Sequence, residues 1–243
     1  VRAKLPEGAT LDLGGGLGGV VEVVHKEWAE HGQEPGIDAT LRFVSLGPGG
    51  ESSGGSDATT LSAFLASAGE VPIPPYFNRP PEASDKEGYQ TVYADDQCSG
   101  SVAAPTAGLH FTDEILSALA NRGVTATRVA LHVSAGTFQP VTSSCISGHA
   151  MHEEFFSADV KALGGLVRAL KANRPVVAVG TTSVRLAESL YWLGLRCMRE
   201  GGWPESSLRL GQWEPYALSK ASAGGALPSA GVALEYLLDK HLE

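Results

Sequence analysis

Four short stretches carry the side chains able to do chemistry. The first runs Gly100-Ser-Val-Ala-Ala-Pro-Thr-Ala-Gly-Leu-His-Phe-Thr112. Its glycines and small side chains let the backbone approach a ligand, Pro105 stiffens that approach, and His110 is the one group there that exchanges a proton near neutral pH. The competing reading is a histidine that hydrogen-bonds a neighbouring carbonyl. A second imidazole, His132, opens His132-Val-Ser-Ala-Gly-Thr-Phe-Gln-Pro-Val141. The third stretch, His149-Ala-Met-His-Glu-Glu154, offers acid/base groups, substrate contacts or a pair of metal ligands with a carboxylate beside them. The metal reading is the weaker one: no third strong ligand is evident, the cysteines are scattered, and the helical His-Glu-x-x-His pattern of metalloproteases is absent. The fourth, Gly180-Thr-Thr-Ser-Val-Arg185, is either an anion site at a helix start or a tight strand-to-helix turn, and Arg185 has Glu188 within one turn as an alternative partner.

The elements around these stretches can be read from periodicity. Thr112 is placed to cap a helix with Asp113 and Glu114 in its first turn, an apolar stripe of Ile115, Leu116 and Leu119, and Gly123 at its end. From Val124 to Val133 alternation predicts a strand with Thr125, Thr127, Val129, Leu131 and Val133 on one face and Arg128, Ala130 and His132 on the other. Ser157 is expected to cap a helix bearing Val160, Leu163, Val167 and Leu170, with Gly164-Gly165 costing about 1 kcal/mol each in its middle and Asn173-Arg-Pro175 stopping it. Val176 to Val179 reads as a fully buried strand feeding a helix from about Val184 to Leu195, and Ala230 to Leu242 as a final helix. Gln212-Trp-Glu-Pro-Tyr216 reads as a loop or short strand.

The first part is β-rich, with strands at Val20 to Val24 and Thr40 to Val44, a turn at Gly14-Gly-Gly16, a Gly/Ser-rich loop from Gly47 to Asp57, and a short helical piece around Leu61 to Ala66. Val71-Pro-Ile-Pro-Pro-Tyr76 makes a natural junction. At 243 residues, 43% hydrophobic and 19% charged, the chain has the composition of a globular protein, and its longest apolar runs fall far below the roughly 18 residues of a bilayer span. Cys98, Cys145 and Cys197 form no disulfide framework and are expected to be reduced. A net charge of −9 argues against a broad basic face, leaving a local strip at Arg168, Lys171 and Arg174, with Arg2 and Lys4 near the start.

With Tyr89-Gln-Thr-Val-Tyr-Ala94, the four stretches above make five blocks whose order and spacing resemble the S-adenosylmethionine:tRNA ribosyltransferase-isomerase family of queuosine biosynthesis. The resemblance is dense from Gly69 to Ser189; Tyr191-Trp-Leu-Gly194 and Gln212 to Tyr216 look like features of one branch. It implies an α/β (α+β) body with an inserted small antiparallel β-barrel domain, the barrel taking residues 1–75 and the body 76–243. It also implies that the ribosyl part of S-adenosylmethionine moves onto 7-aminomethyl-7-deazaguanine at a tRNA wobble position and rearranges to give epoxyqueuosine, with adenine and methionine leaving. The partners implied are that tRNA and S-adenosylmethionine as ribosyl donor, with no metal and no membrane. The setting implied is cytoplasmic, unless an organellar address precedes Val1.

On this resemblance His110 and His132 serve proton transfer, and His149, His152 and Glu154 shape the same pocket. Tyr89, Gln90, Tyr93, Pro105, Thr106, Gly108, Thr137, Phe138, Gln139, Gly180, Thr181, Thr182, Ser183 and Arg185 contact substrate, the Gly180 to Arg185 block holding the methionine end or an anionic tRNA group. Tyr89, Tyr93 and Phe138 are equally readable as core aromatics. Two departures stand out. Ser134 replaces the family's glycine after His-Val, and the Asn-Asp-Thr-Arg and Thr-Asn-Phe-His blocks of the family are missing, so the chain is expected to be truncated at both ends. The alternative function is therefore an inactive fragment or binding remnant of the same family.

Overall fold

A computed structural model describes residues 10–12, 19–28, 37–45, 69–95, 101–134, 143–202, 208–220 and 226–242. The chain divides into two compact units, residues 1–71 with 143–149 and residues 72–142 with 150–243. In the first unit three strands, β1 (Thr10–Asp12), β2 (Gly19–Trp28) and β3 (Ile37–Ser45), form an antiparallel sheet in that order. The β2–β3 register runs from Gly19 opposite Ser45 to Val23 opposite Leu41, then shifts so that His25 faces Thr40, a bulge that adds local twist. Both strands are longer than the apolar cores Val20–Val24 and Thr40–Val44 announce. The expected turn at Gly14–Gly16, the Gly47–Asp57 loop and the Leu61–Ala66 helix lie outside the described residues, as does Cys98.

The second unit is mostly helical. A one-turn helix α1 (Asp85–Gly88) is followed by α2 (Asp113–Asn121), the hairpin partners β4 (Ala130–His132) and β5 (Phe155–Ser157), α3 (Val160–Lys171), α4 (Thr181–Glu200), α5 (Glu214–Lys220) and α6 (Ala230–Leu242). Thr112 caps α2 by accepting from the Ile115 N–H at 3.3 Å, and Gly123 leaves it at φ 76°, both as the sequence implies. Ile115 is nonetheless exposed, and α2 buries no residue among those described.

The core sits where α3, α4 and α6 meet. Leu163 and Val167 of α3, Leu186, Leu190, Leu193 and Cys197 of α4, and Leu234 and Leu237 of α6 form one cluster, with Val129, Leu131 and Phe156 packed against it. The spacing 186, 190, 193, 197 is the apolar stripe of an amphipathic helix. Helix α4 approaches α6 so closely that a methyl on Gly194 would overlap the Ala233 carbonyl. Gly201, at φ 80°, ends α4, and the amides of Gly201 and Gly202 both reach the Cys197 carbonyl. Cys197 is buried and Cys145 exposed, both as free thiols.

Four expectations are corrected. Asp159, not Ser157, caps α3, its Oδ1 accepting from the Ala162 N–H at 2.6 Å, because Ser157 is already committed to β5. Val176 to Val179 forms neither a strand nor core; Val177 is 83% exposed. The strand expected over Val124 to Val133 shrinks to Ala130–His132, since β5 offers only three residues to pair with. Gln212 to Tyr216 leads into a helix, with the Gly211 N–H bonded to Glu214 Oε2 at 3.0 Å. Among the described residues no helix is long and apolar enough to cross a membrane.

Candidate functional site

A cleft of about 370 Å³ opens in the second unit. Its walls come from Pro74 and Tyr76, Tyr89, Ala103 to Ala107, Val133, and Gly180 to Thr182. Each wall is fixed by local chemistry. Phe77 N–H bonds to the Pro74 carbonyl at 3.0 Å, folding Pro75–Phe77 into a 3-10 turn that presents Tyr76. Arg79 grips Asp85 with two parallel bonds of 2.8 and 2.7 Å, and the Glu82 N–H adds a third at 2.7 Å, so α1 and the Tyr89 that follows it are stapled in place. The Arg79 guanidinium and then the Glu82 amide pull the Asp85 carboxyl down to about 2.

The small-residue run folds into a 3-10 turn, Thr106–His110, whose first residues reach the cleft. Its Gly108 is buried beneath the Tyr93 hydroxyl, where any side chain would collide with Tyr93 and Thr91. The Val133 N–H donates to Ser101 Oγ at 2.9 Å, and its carbonyl accepts the Val102 N–H at 3.0 Å. Gly180 adopts φ 88° and ψ 157°, a conformation reserved for glycine, which turns the chain into α4. The first amides of α4 have no carbonyl within the helix to bond, so Thr181 and Thr182 bring N–H donors and the positive end of a 20-residue helix to the cleft. Burial pushes the phenols of Tyr89 and Tyr93 up, keeping both protonated and able to donate at neutral pH.

The sequence-expected residues distribute unevenly. Tyr89, Pro105, Thr106, Gly180, Thr181 and Thr182 line the cleft. Tyr93 and Gly108 buttress it, and Gln90 turns its Oε1 back to the Thr91 amide at 3.2 Å. Ser183 donates to the Val179 carbonyl at 2.8 Å. His110 is exposed at the far end of the cleft-lining turn. His132 pairs across the hairpin with Phe155, which is 85% exposed, so it shares the outer face while Leu131 and Phe156 face the core. Arg185 bonds Glu154 and also donates to the His152 carbonyl at 2.6 Å, joining the first turns of α4 to the strip leading into β5. Its partner is thus Glu154, not the Glu188 that helical spacing offers. His149 belongs to the first unit, and Thr137, Phe138 and Gln139 lie outside the described residues. Among the described residues no group of three or more His, Cys, Asp or Glu side chains is gathered to hold a metal ion. Pro74, Tyr76, Ala103, Ala104, Ala107 and Val133 line the cleft without having been singled out. The alanines lie inside a motif whose smallness was the signal, whereas Pro74 and Tyr76 were hidden in a stretch that reads as a junction.

A cleft of this size takes one small molecule, since ligand pockets of about 300–1,000 Å³ hold drug-sized compounds. Two tyrosines and two prolines suit a flat ring, and the helix start suits an anionic end. These residues make the cleft a candidate small-molecule site. The family description "Queuosine biosynthesis protein" matches residues 3–209, a span that contains every cleft residue, and the chain belongs to that family. It is 43% identical over 191 residues to the S-adenosylmethionine:tRNA ribosyltransferase-isomerase of Anaeromyxobacter sp. (strain Fw109-5), covering 74% of this chain and 53% of the relative. Proteins of the same name from Phenylobacterium zucineum (strain HLK1) and Legionella pneumophila (strain Corby) are 48% identical over 157 residues and 50% over 139. These alignments cover 63% and 56% of this chain, and 43% and 41% of the relatives. The chain thus spans about half the length of the curated relatives it matches. No solved structure matches.

Proposed function

We propose that this chain takes part in S-adenosylmethionine:tRNA ribosyl transfer and isomerisation, and that the cleft holds the sulfonium cosubstrate. The observation that carries the reading is the 43–50% identity to relatives of that name, together with a family match that encloses all the cleft residues. In this reading Tyr76 and Tyr89 flank the adenine, and the amides at Thr181 and Thr182 receive the methionine carboxylate. The three-stranded sheet of the first unit belongs to a small antiparallel barrel inserted in an α/β body, and the setting is the cytoplasm.

The positive sulfur of S-adenosylmethionine acidifies the adjacent C5′ hydrogen, so one base can start the rearrangement, and departing adenine takes up a proton. That activation resides in the cosubstrate, and the chemistry calls for no metal. His110 is the residue best placed for proton exchange, because its turn lines the cleft while its ring keeps access to solvent and to an incoming base. His132 acts from the outer face of β4, toward the tRNA. The 7-aminomethyl-7-deazaguanine of tRNA supplies the nucleophile that accepts the ribosyl group.

The test is adenine release by this chain with S-adenosylmethionine and tRNA carrying the aminomethyl-deazaguanine, against unmodified tRNA. Release that requires the modified base is expected, and His110→Ala should abolish most of it. Because the alignments reach only 41–53% of the relatives' length, the competing reading is a chain that binds without turnover. Saturable S-adenosylmethionine binding with no adenine release from folded protein would establish that reading, and no binding at all would sink both.

A further inference from the structure

Charge is segregated along this chain. It carries 27 acidic residues, yet there is no Asp or Glu from residue 115 to 152 or from 160 to 187. Within these stretches Arg122, Arg128, Lys161, Arg168 and Arg174 are all exposed. Among the described residues none of the five makes a salt bridge, whereas Lys171 is paired with Glu235 and Arg185 with Glu154. An acidic protein has carboxylates to spare for pairing, so a run of unpaired arginines marks a surface kept positive.

The geometry of α3 sets two of them on one side. A Cβ on Gly164 would lie 3.3 Å from Arg168 Nη1, and one on Gly165 would lie 4.0 Å from Nη2 and 3.4 Å from Thr127 Oγ1. The Arg168 guanidinium therefore lies back along the glycine step of α3, beside Thr127. Lys161 sits two turns before Arg168 on the same side of α3, and Arg174 follows the helix end, its N–H bonded to the Ala169 carbonyl at 2.9 Å. Two helical glycines cost stability, and the room they leave for the guanidinium supplies a reason for them.

We infer that Lys161 and Arg168, extended by Arg174, form the surface on which the RNA phosphate backbone docks. This rests on the proposed tRNA reaction for the identity of the partner. Arginine forks bind phosphate oxygens through two parallel bonds, and each phosphate neutralised releases counterions, so the contact is read by its salt dependence. With net charge −9 the protein as a whole repels RNA, so docking calls for a local basic surface of this kind.

The test measures binding of fluorescently labelled tRNA to this chain at about 50 and 200 mM salt, for wild type, Lys161→Gln/Arg168→Gln and Lys220→Gln. Loss of two phosphate contacts lowers the log-log salt slope by about 1.4–1.8, so the weakening between the two salt concentrations should shrink by roughly tenfold in the double variant. Lys220→Gln, on α5, should leave it unchanged. Arg168→Glu should weaken binding further at low salt. A folded double variant with wild-type affinity and slope overturns the inference, as does a wild-type chain that binds no tRNA. Adenine release with an unaltered slope would refute this surface alone, and an altered slope without adenine release would refute the reaction and leave the surface standing.

Discussion

Gly108→Ala separates a packing requirement from mere smallness in the site. A methyl at this position would overlap the Tyr93 hydroxyl, lie 2.8 Å from its Cζ and sit 3.0 Å from Thr91 Cγ2. Carbon atoms in contact rest at about 3.5–4.0 Å, so the Tyr93 ring must retreat by about 1 Å from a position already half-buried. Overpacking of this kind costs about 1–3 kcal/mol. The Thr91 methyl blocks one direction of relief and is itself buried, so part of the movement passes to the Thr106–His110 turn. That turn carries two cleft residues and His110, and a misplacement near 1 Å is worth about 100-fold in rate. Gly108→Ala is therefore expected to lower the urea midpoint by the equivalent of about 2 kcal/mol and adenine release by about 10–100-fold. Tyr93→Phe removes the overlapping oxygen, so in Gly108→Ala/Tyr93→Phe the two losses should be less than additive by about 1 kcal/mol. Additive losses, or a Gly108→Ala protein with wild-type stability and turnover, would refute the packing argument.

Three further outcomes follow from named contacts. Gly194→Ala should destabilise by about 1–3 kcal/mol in urea despite alanine's better helix propensity, because its methyl would lie 2.9 Å from the Ala233 carbonyl carbon and force α4 away from α6; a stabilised variant would show the close approach to be wrong. Glu154→Gln leaves Arg185 without its carboxylate and should cost about 1–2 kcal/mol, moderated by the partial exposure of Arg185, with faster amide exchange at residues 152–154 as the local readout. The Asp85 carboxyl lies at about 2 when folded against an ordinary 3.8, so its contribution is full above the ordinary value and lost as pH falls from about 4 toward 2. Melting temperature measured over that window should therefore fall less steeply in Arg79→Gln than in wild type.

The residues by themselves carried the family, about half of the cleft lining and the helix capped by Thr112. Thr112 and Gly123 bracketed α2, and the apolar spacing of α4 announced the stripe that became its core face. Those signals are local: a cap, a turn glycine or a 3.6-residue period acts within one or two turns of the chain. The Val176 to Val179 run shows the limit of such signals. Its apolar pattern is consistent with a buried strand, but burial depends on what packs over it, and Val177 stands 83% exposed. Only the tertiary structure decided that Pro74 and Tyr76 meet Gly180 and Thr181 across a cleft, that Arg185 turns to Glu154 across 31 residues of sequence and not to Glu188 on its own helix, and that Arg168 folds over two glycines beside Thr127. Each is a contact between elements distant in sequence, set by how α3, α4 and α6 bury their shared apolar face. A one-dimensional pattern states which faces must be hidden, and the packing that hides them chooses the neighbours.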